Sequence, residues 1–167
     1  MQKNEIQKMN YKIEESNLID KLNELNIEIP DSLTFIPENI SEVNDKNDFV
    51  FTDSTTDFKK VFKLNELSSS ELDSDSSVYR SRKSADFFAP ALFISLSMLS
   101  ENQHLVAIAI NLASEYCKDL FKGTIGKKTV KLDIYVETNK KKTVKKISYE
   151  GDSEGIKDLT NVIKSLK

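Results

Sequence analysis

Apolar residues recur along this chain in two rhythms, one helical and one alternating, and the switches between them predict its elements. Leu18, Ile19, Leu22 and Leu25 fall on one face at helical spacing, so residues 16–26 are expected to form a short helix capped by Ser16 or Asn17. Pro30 and Pro37 hold the chain extended around Ile27, Ile29, Phe35 and Ile36, because proline disfavours helix in the residue before it. Phe49–Phe51 reads as a short strand. Ser54–Asp57 approximates a capping box, with Asp where Glu or Gln is preferred, and opens a helix burying Phe58, Val61, Phe62 and Leu67.

Residues 68–77, SSSELDSDSS, hold six serines, three acids and one leucine. Such a composition buries too little apolar surface to offset its ordering entropy, so residues 68–83 are expected to be a mobile linker. A calcium loop on Asp73 and Asp75 fails, because Val78 stands where glycine is needed and Ser84 where the bidentate Glu is needed.

The most apolar part follows. Fourteen uncharged residues lie between Asp86 and Glu101, and thirteen between Glu101 and Glu115. Pro90 suits a helix first turn and Ser100–Gln103 a second capping box, so a helical hairpin is expected, with arms near 88–99 and 103–122. The second arm carries two apolar stripes, Leu105, Ile108 and Leu112 on one and Val106, Ile110, Ala113 and Cys117 on the other. A helix apolar on more than one side is buried centrally or against another chain.

Beyond Gly123 the rhythm becomes period two. Val130, Leu132, Ile134 and Val136 alternate with polar residues, a turn follows at 138–142, and a second strand near 143–150 places Ile147 and Tyr149 inward. Val144 falls out of that phase, which implies a bulge or an exposed valine. Asp152 or Ser153 caps a last helix with Ile156, Leu159, Val162, Ile163 and Leu166 on one face. The expected fold class is α+β: an N-terminal α+β region over residues 1–67, the linker at 68–83, and over 84–167 a helical hairpin packed against a β-hairpin plus helix.

Composition narrows the chemistry. Of 167 residues, 38% are apolar and 31% charged, with one cysteine, Cys117, and one histidine, His104. A disulfide framework and a cysteine-rich zinc site are excluded, and a cytoplasmic location is expected because Met1–Glu15 is polar and has no apolar signal core. His104 and Cys117 stand thirteen residues apart on one predicted helix, about 20 Å, too far to share an ion. The net charge of -3 divides unevenly: residues 1–120 carry 12 Lys/Arg against 21 Asp/Glu, and residues 121–167 carry 12 against 6. Halves of opposite sign attract each other or offer two surfaces to partners.

Gly151-Asp-Ser-Glu-Gly155 matches the G-x-S-x-G nucleophile elbow and lies between a predicted strand and helix. No histidine follows Ser153 to complete that triad, so Gly151 is read as a strand end and Asp152 or Ser153 as a helix cap. Gly123–Lys128 lacks the spacing of a phosphate loop. The chain is accordingly expected to be no enzyme, with no cofactor and no metal site. Lys140, Lys141, Lys142, Lys145 and Lys146 form a basic run without interleaved aromatics or arginines, which argues against base stacking and nucleic-acid recognition.

From the apolar hairpin onward, FFAPALFISL, LVAIAINLASEYCKDLFKG, VKLDIYVE and KKISYEGDSEGIKDL together resemble a loose group of small uncharacterised bacterial accessory proteins. The resemblance covers about the last eighty residues, carries no catalytic residues, and implies an accessory role, in part near conflict or phage-defence systems.

The function expected from these readings is a non-catalytic protein-interaction module that binds a protein partner or a second copy. Its expected contact residues are Val106, Ile110 and Ala113 on the second hairpin arm and Lys140, Lys141, Lys142, Lys145 and Lys146 on the basic run. The alternative is an effector whose apolar hairpin inserts into membranes. Each arm, about 21 Å long, falls short of the ~30 Å hydrocarbon core.

Overall fold

The computed structural model describes residues 10–73, 78–81, 86–126, 128–139 and 143–166. Its longest strands are the two that the alternating pattern predicts, β8 (Val130–Thr138) and β9 (Thr143–Gly151), paired antiparallel in unbroken register from Val130↔Gly151 to Thr138↔Thr143. The other strands are β1 (Tyr11–Ser16), β2 (Thr34–Ile36), β3 (Val50–Thr52), β4 (Ser70–Glu71), β5 (Val78–Arg80), β6 (Phe87–Phe88) and β7 (Ala91–Ile94). The helices are α1 (Leu18–Glu24), α2 (Thr55–Leu64), α3 (Leu96–Glu101), α4 (Gln103–Phe121) and α5 (Leu159–Ser165), the last preceded by a 3-10 turn, Glu154–Asp158. Seven strands form one sheet in the order β1-β9-β8-β7-β2-β4, with β6 also on β8, and β3 and β5 form a small parallel pair. The α+β class stands.

The sheet draws strands from both ends of the chain, so the expected boundary between residues 1–67 and 84–167 does not divide it. β1 lies antiparallel on β9, and β2 lies between β7 and β4. The expected linker at 68–83 is corrected as well. Ser70–Glu71 adds a strand to β2, Leu72 is buried, and Val78–Arg80 pairs with Val50–Thr52. Lys59 and Tyr79 both converge on one carboxylate oxygen of buried Glu71, at 2.9 and 2.6 Å. Residues 74–77 and 82–85 lie outside the described residues.

The helical hairpin is present, but its first arm is shorter than expected. Ala91–Ile94 is a strand between β8 and β2, and Leu92, Phe93 and Ile94 are fully buried. An apolar run covered on both faces shows no alternation, so its period does not distinguish strand from helix. Pro90 sits where the ladder is interrupted: Phe87 lies opposite Val130 but Leu92 opposite Ile134, which leaves one extra residue on the β6–β7 side. With no N–H to give, proline fits that break. Helix starts only at Leu96, where the hydroxyl of Ser95 accepts from the Met98 amide at 3.2 Å.

Register assigns the two faces of the sheet. Phe35, Leu92, Ile94, Leu132, Ile134, Val136 and Ile147 share one face, covered by α2, α4 and α5; Phe35 stacks on Phe62 of α2 with centroids 5.7 Å apart. Ile36, Phe93, Tyr135 and Val144 share the other, where α1 buries Leu18 and Leu22. Val144 is thus neither bulged nor exposed: it is buried in regular register opposite Glu137, because this end of the hairpin is covered on both sides. Among the described residues no helix is long and apolar enough to cross a membrane.

Candidate functional site: an open groove on the sheet

α1 covers only part of its face, and the uncovered remainder is a groove. Its volume is about 810 Å³, with a floor of Lys131, Asp133 and Ser148, an end at Lys12 and Glu150, and a wall at Glu38 and Ala91. A second hollow of about 370 Å³ shares Glu38, Ala91 and Asp133 and continues past Tyr135 and Lys146 to Lys21 of α1. Alternation in the strands places these groups together: Lys131, Asp133 and Tyr135 are among the residues of β8 that point away from the helical layer, and Glu150, Ser148 and Lys146 are their partners on β9.

Opposite charges are interleaved along the groove. The Lys146 ammonium lies 3.8 Å from Asp133 and 5.7 Å from the ring centroid of Tyr135. Lys131 lies 3.7 Å from Asp86 and 5.2 Å from the centre of the Phe88 ring, and Lys12 lies 3.5 Å from Glu14. Arg80 reaches Glu38 at 3.4 Å. Burial, with the carboxylates of Asp133 and Glu14 nearby, raises the pKa of the Tyr135 phenol, so it stays a neutral donor over the physiological range. A smaller cleft of about 450 Å³ lies between the start of α2, the end of α4 and β6, where the Tyr116 hydroxyl donates to Asp57 at 3.0 Å.

The contact residues expected from the sequence are separated by the fold. Val106, Ile110 and Ala113 are buried in this chain's own core and present no surface to a partner. The more exposed stripe of α4 is the other one, with Ile108 38% exposed. Lys146 does reach the groove, whereas Lys145 points to the opposite face and pairs with Glu15 at 3.1 Å. Lys140, Lys141 and Lys142 lie outside the described residues. Sequence reasoning missed Lys12, Glu14, Lys131 and Asp133 as a group; the signal for the last two was their shared phase on β8.

The G-x-S-x-G turn has a packing role. Asp152, not Ser153, supplies the cap: its carboxylate accepts from the Gly155 amide at 2.8 Å, and the Ser153 side chain makes no capping bond. The Tyr149 phenol occupies the space beside both glycines, so a Cβ at Gly151 would stand 2.6 Å from its oxygen and one at Gly155 would clash with it. Cys117 is fully buried, and burial pushes its thiol up to about 12. His104 is exposed at the start of α4. Among the described residues no three His, Cys, Asp or Glu side chains gather as a metal site.

No family model matches this chain, nor does any curated protein or solved structure.

Proposed function

We propose that the chain is a non-catalytic protein-interaction module whose binding surface is the open sheet groove. The observation that supports this most directly is the groove itself: a concave strip of interleaved Lys and Asp/Glu on the sheet, with Tyr135 in the hollow that continues it. Such a strip matches a polypeptide segment carrying both charges, since each internal ion pair can be exchanged for one with the partner. Asp133, Glu14 and Glu38 oppose a phosphate backbone, which needs a field of one sign. The proposed likeness of about the last eighty residues to small bacterial accessory proteins fits the same role, including service beside a conflict or phage-defence system.

The test is recovery of a stoichiometric partner from the native cell with the full chain, repeated with Ser148→Trp, which fills the groove floor, and Asp133→Lys, which reverses its central charge. Both variants should fold, as read by circular dichroism, and lose the partner. Capture unchanged by both substitutions would place binding elsewhere and overturn the reading.

A further inference from the structure

β1 ends the sheet, with β9 on one side and no strand on the other among the described residues. The Asn10 carbonyl accepts from the Glu150 amide at 2.8 Å. By the alternation of an antiparallel ladder, Lys12, Glu14 and Ser16 therefore turn their backbone groups toward β9, while Tyr11, Ile13 and Glu15 turn theirs outward. Ile13, at the middle of this open edge, is 40% exposed. We propose that the edge pairs with β1 of a second copy of this chain, antiparallel about a twofold axis at Ile13, to make one continuous sheet.

The sequence of β1 selects that occupant and that register. Outward-facing groups must pair with outward-facing groups, so allowed registers differ by two residues. With Ile13 opposite the partner's Ile13, Lys12 lies opposite the partner's Glu14 twice over, by symmetry. One step in either direction sets Lys12 against Lys12 of the partner subunit, or Glu14 against Glu14 of the partner subunit, and like charges directly opposite are destabilising. Charges on an edge ordinarily ward off other strands; here they do so in the neighbouring registers and attract in the central one. The match extends inward. Glu14 lies opposite Lys146 on β9, so each glutamate would stand between two lysines. On the other face Ile13 lies opposite buried Ile147, so the two isoleucines of each copy would join in one apolar row across the axis. Three outward residues per strand give about six backbone hydrogen bonds. A twofold contact closes on itself, which leaves a dimer rather than a fibre.

This inference concerns the strand edge and does not rest on the groove. The experiment is light scattering or sedimentation of the full chain from micromolar to millimolar concentration. The parent should dimerise. Lys12→Glu and Glu14→Lys should each weaken self-association about 10- to 100-fold, and an equimolar mixture of these two variants should form a heterodimer, since each then supplies the charges the other lacks. Ile13→Pro, tolerated in an edge strand whose N–H faces out, should fold and stay monomeric. A parent that is monomeric throughout, or a dimer indifferent to all three substitutions, overturns the proposal. A monomer that still captures a partner through the groove overturns it while leaving the functional reading intact.

Discussion

The Tyr149 hydroxyl donates to the Asp152 carbonyl at 2.6 Å, and in doing so occupies the space that side chains at positions 151 and 155 would need. A motif that reads as a nucleophile elbow is thereby explained by packing around one buried phenol. Gly155→Ala should cost about 1–3 kcal/mol, because Tyr149 is buried and has no room to yield. Tyr149→Phe should cost about 1 kcal/mol for the lost hydrogen bond. The two should be strongly non-additive in urea denaturation, since removing the oxygen makes room for the new methyl group; additive losses would mean that the phenol is not the obstacle.

The same turn separates Asp152 from Ser153. Asp152→Ala should lose about 1 kcal/mol with the cap on the Gly155 amide. Ser153→Ala should change stability by less than about 0.5 kcal/mol and leave partner binding intact. A folded Ser153→Ala protein that had lost its cellular role would reopen the reading of Ser153 as a nucleophile.

Helix α4 offers a matched pair of substitutions. Ile110 is fully buried, so Ile110→Asp forces an unpaired carboxylate into the core and should cost several kcal/mol, comparable with the stability of a domain this size. Ile108→Asp, on the more exposed stripe, should stay within about 0.5 kcal/mol. Thermal melts of both variants check the assignment; equal losses would show that the second stripe is also covered.

Leu72 and Glu71 anchor a segment whose composition looks unstructured. Leu72→Ala should cost about 2–4 kcal/mol. Glu71→Ala, which leaves Lys59 and Tyr79 without the carboxylate oxygen they share, should also destabilise measurably. Limited proteolysis should spare the bonds at residues 70–72 in the parent and cut them in either variant.

Stability should fall in alkali. Cys117 moves from an ordinary value of 9.0, and Tyr116 and Tyr149 from 10.0, each to about 12 on folding, chiefly through burial; a hydrogen bond to Asp57 adds to the shift of Tyr116. The unfolded chain therefore gives up these protons first, binds fewer of them as pH climbs from about 9 toward 12, and is favoured over that window. Denaturation midpoints across the range should drop steadily, and Cys117→Ser should remove part of the slope near its lower end. At neutral pH a thiol reagent should label Cys117 only after unfolding.

Helix α2 and most of the C-terminal β-hairpin were legible because each is buried on one dominant face, which leaves a clear period in the residues, and α4 was legible as a helix through the spacing of its two apolar stripes. Ala91–Ile94 was not, because a strand covered on both faces has no polar positions to mark its phase. β1 hid for the opposite reason: an edge strand with four exposed residues out of six carries too few apolar positions to register. Val144 is buried on the less covered face, so it broke an alternation that assumed one face only. The groove could not be read before β1 was set in register on β9, since its charges come from positions more than a hundred residues apart.

Pairing of β1 with β9 sets residue 11 beside residue 149, so a strand made early joins the sheet only once a strand made more than a hundred residues later exists. During synthesis the N-terminal strand has no template, and α1, whose apolar side packs on the same hairpin, waits with it. Folding of this chain is thus dominated by contacts distant in sequence, which slows it compared with a helical domain of equal size. A stop before the β8–β9 hairpin would release β1 and α1 as well.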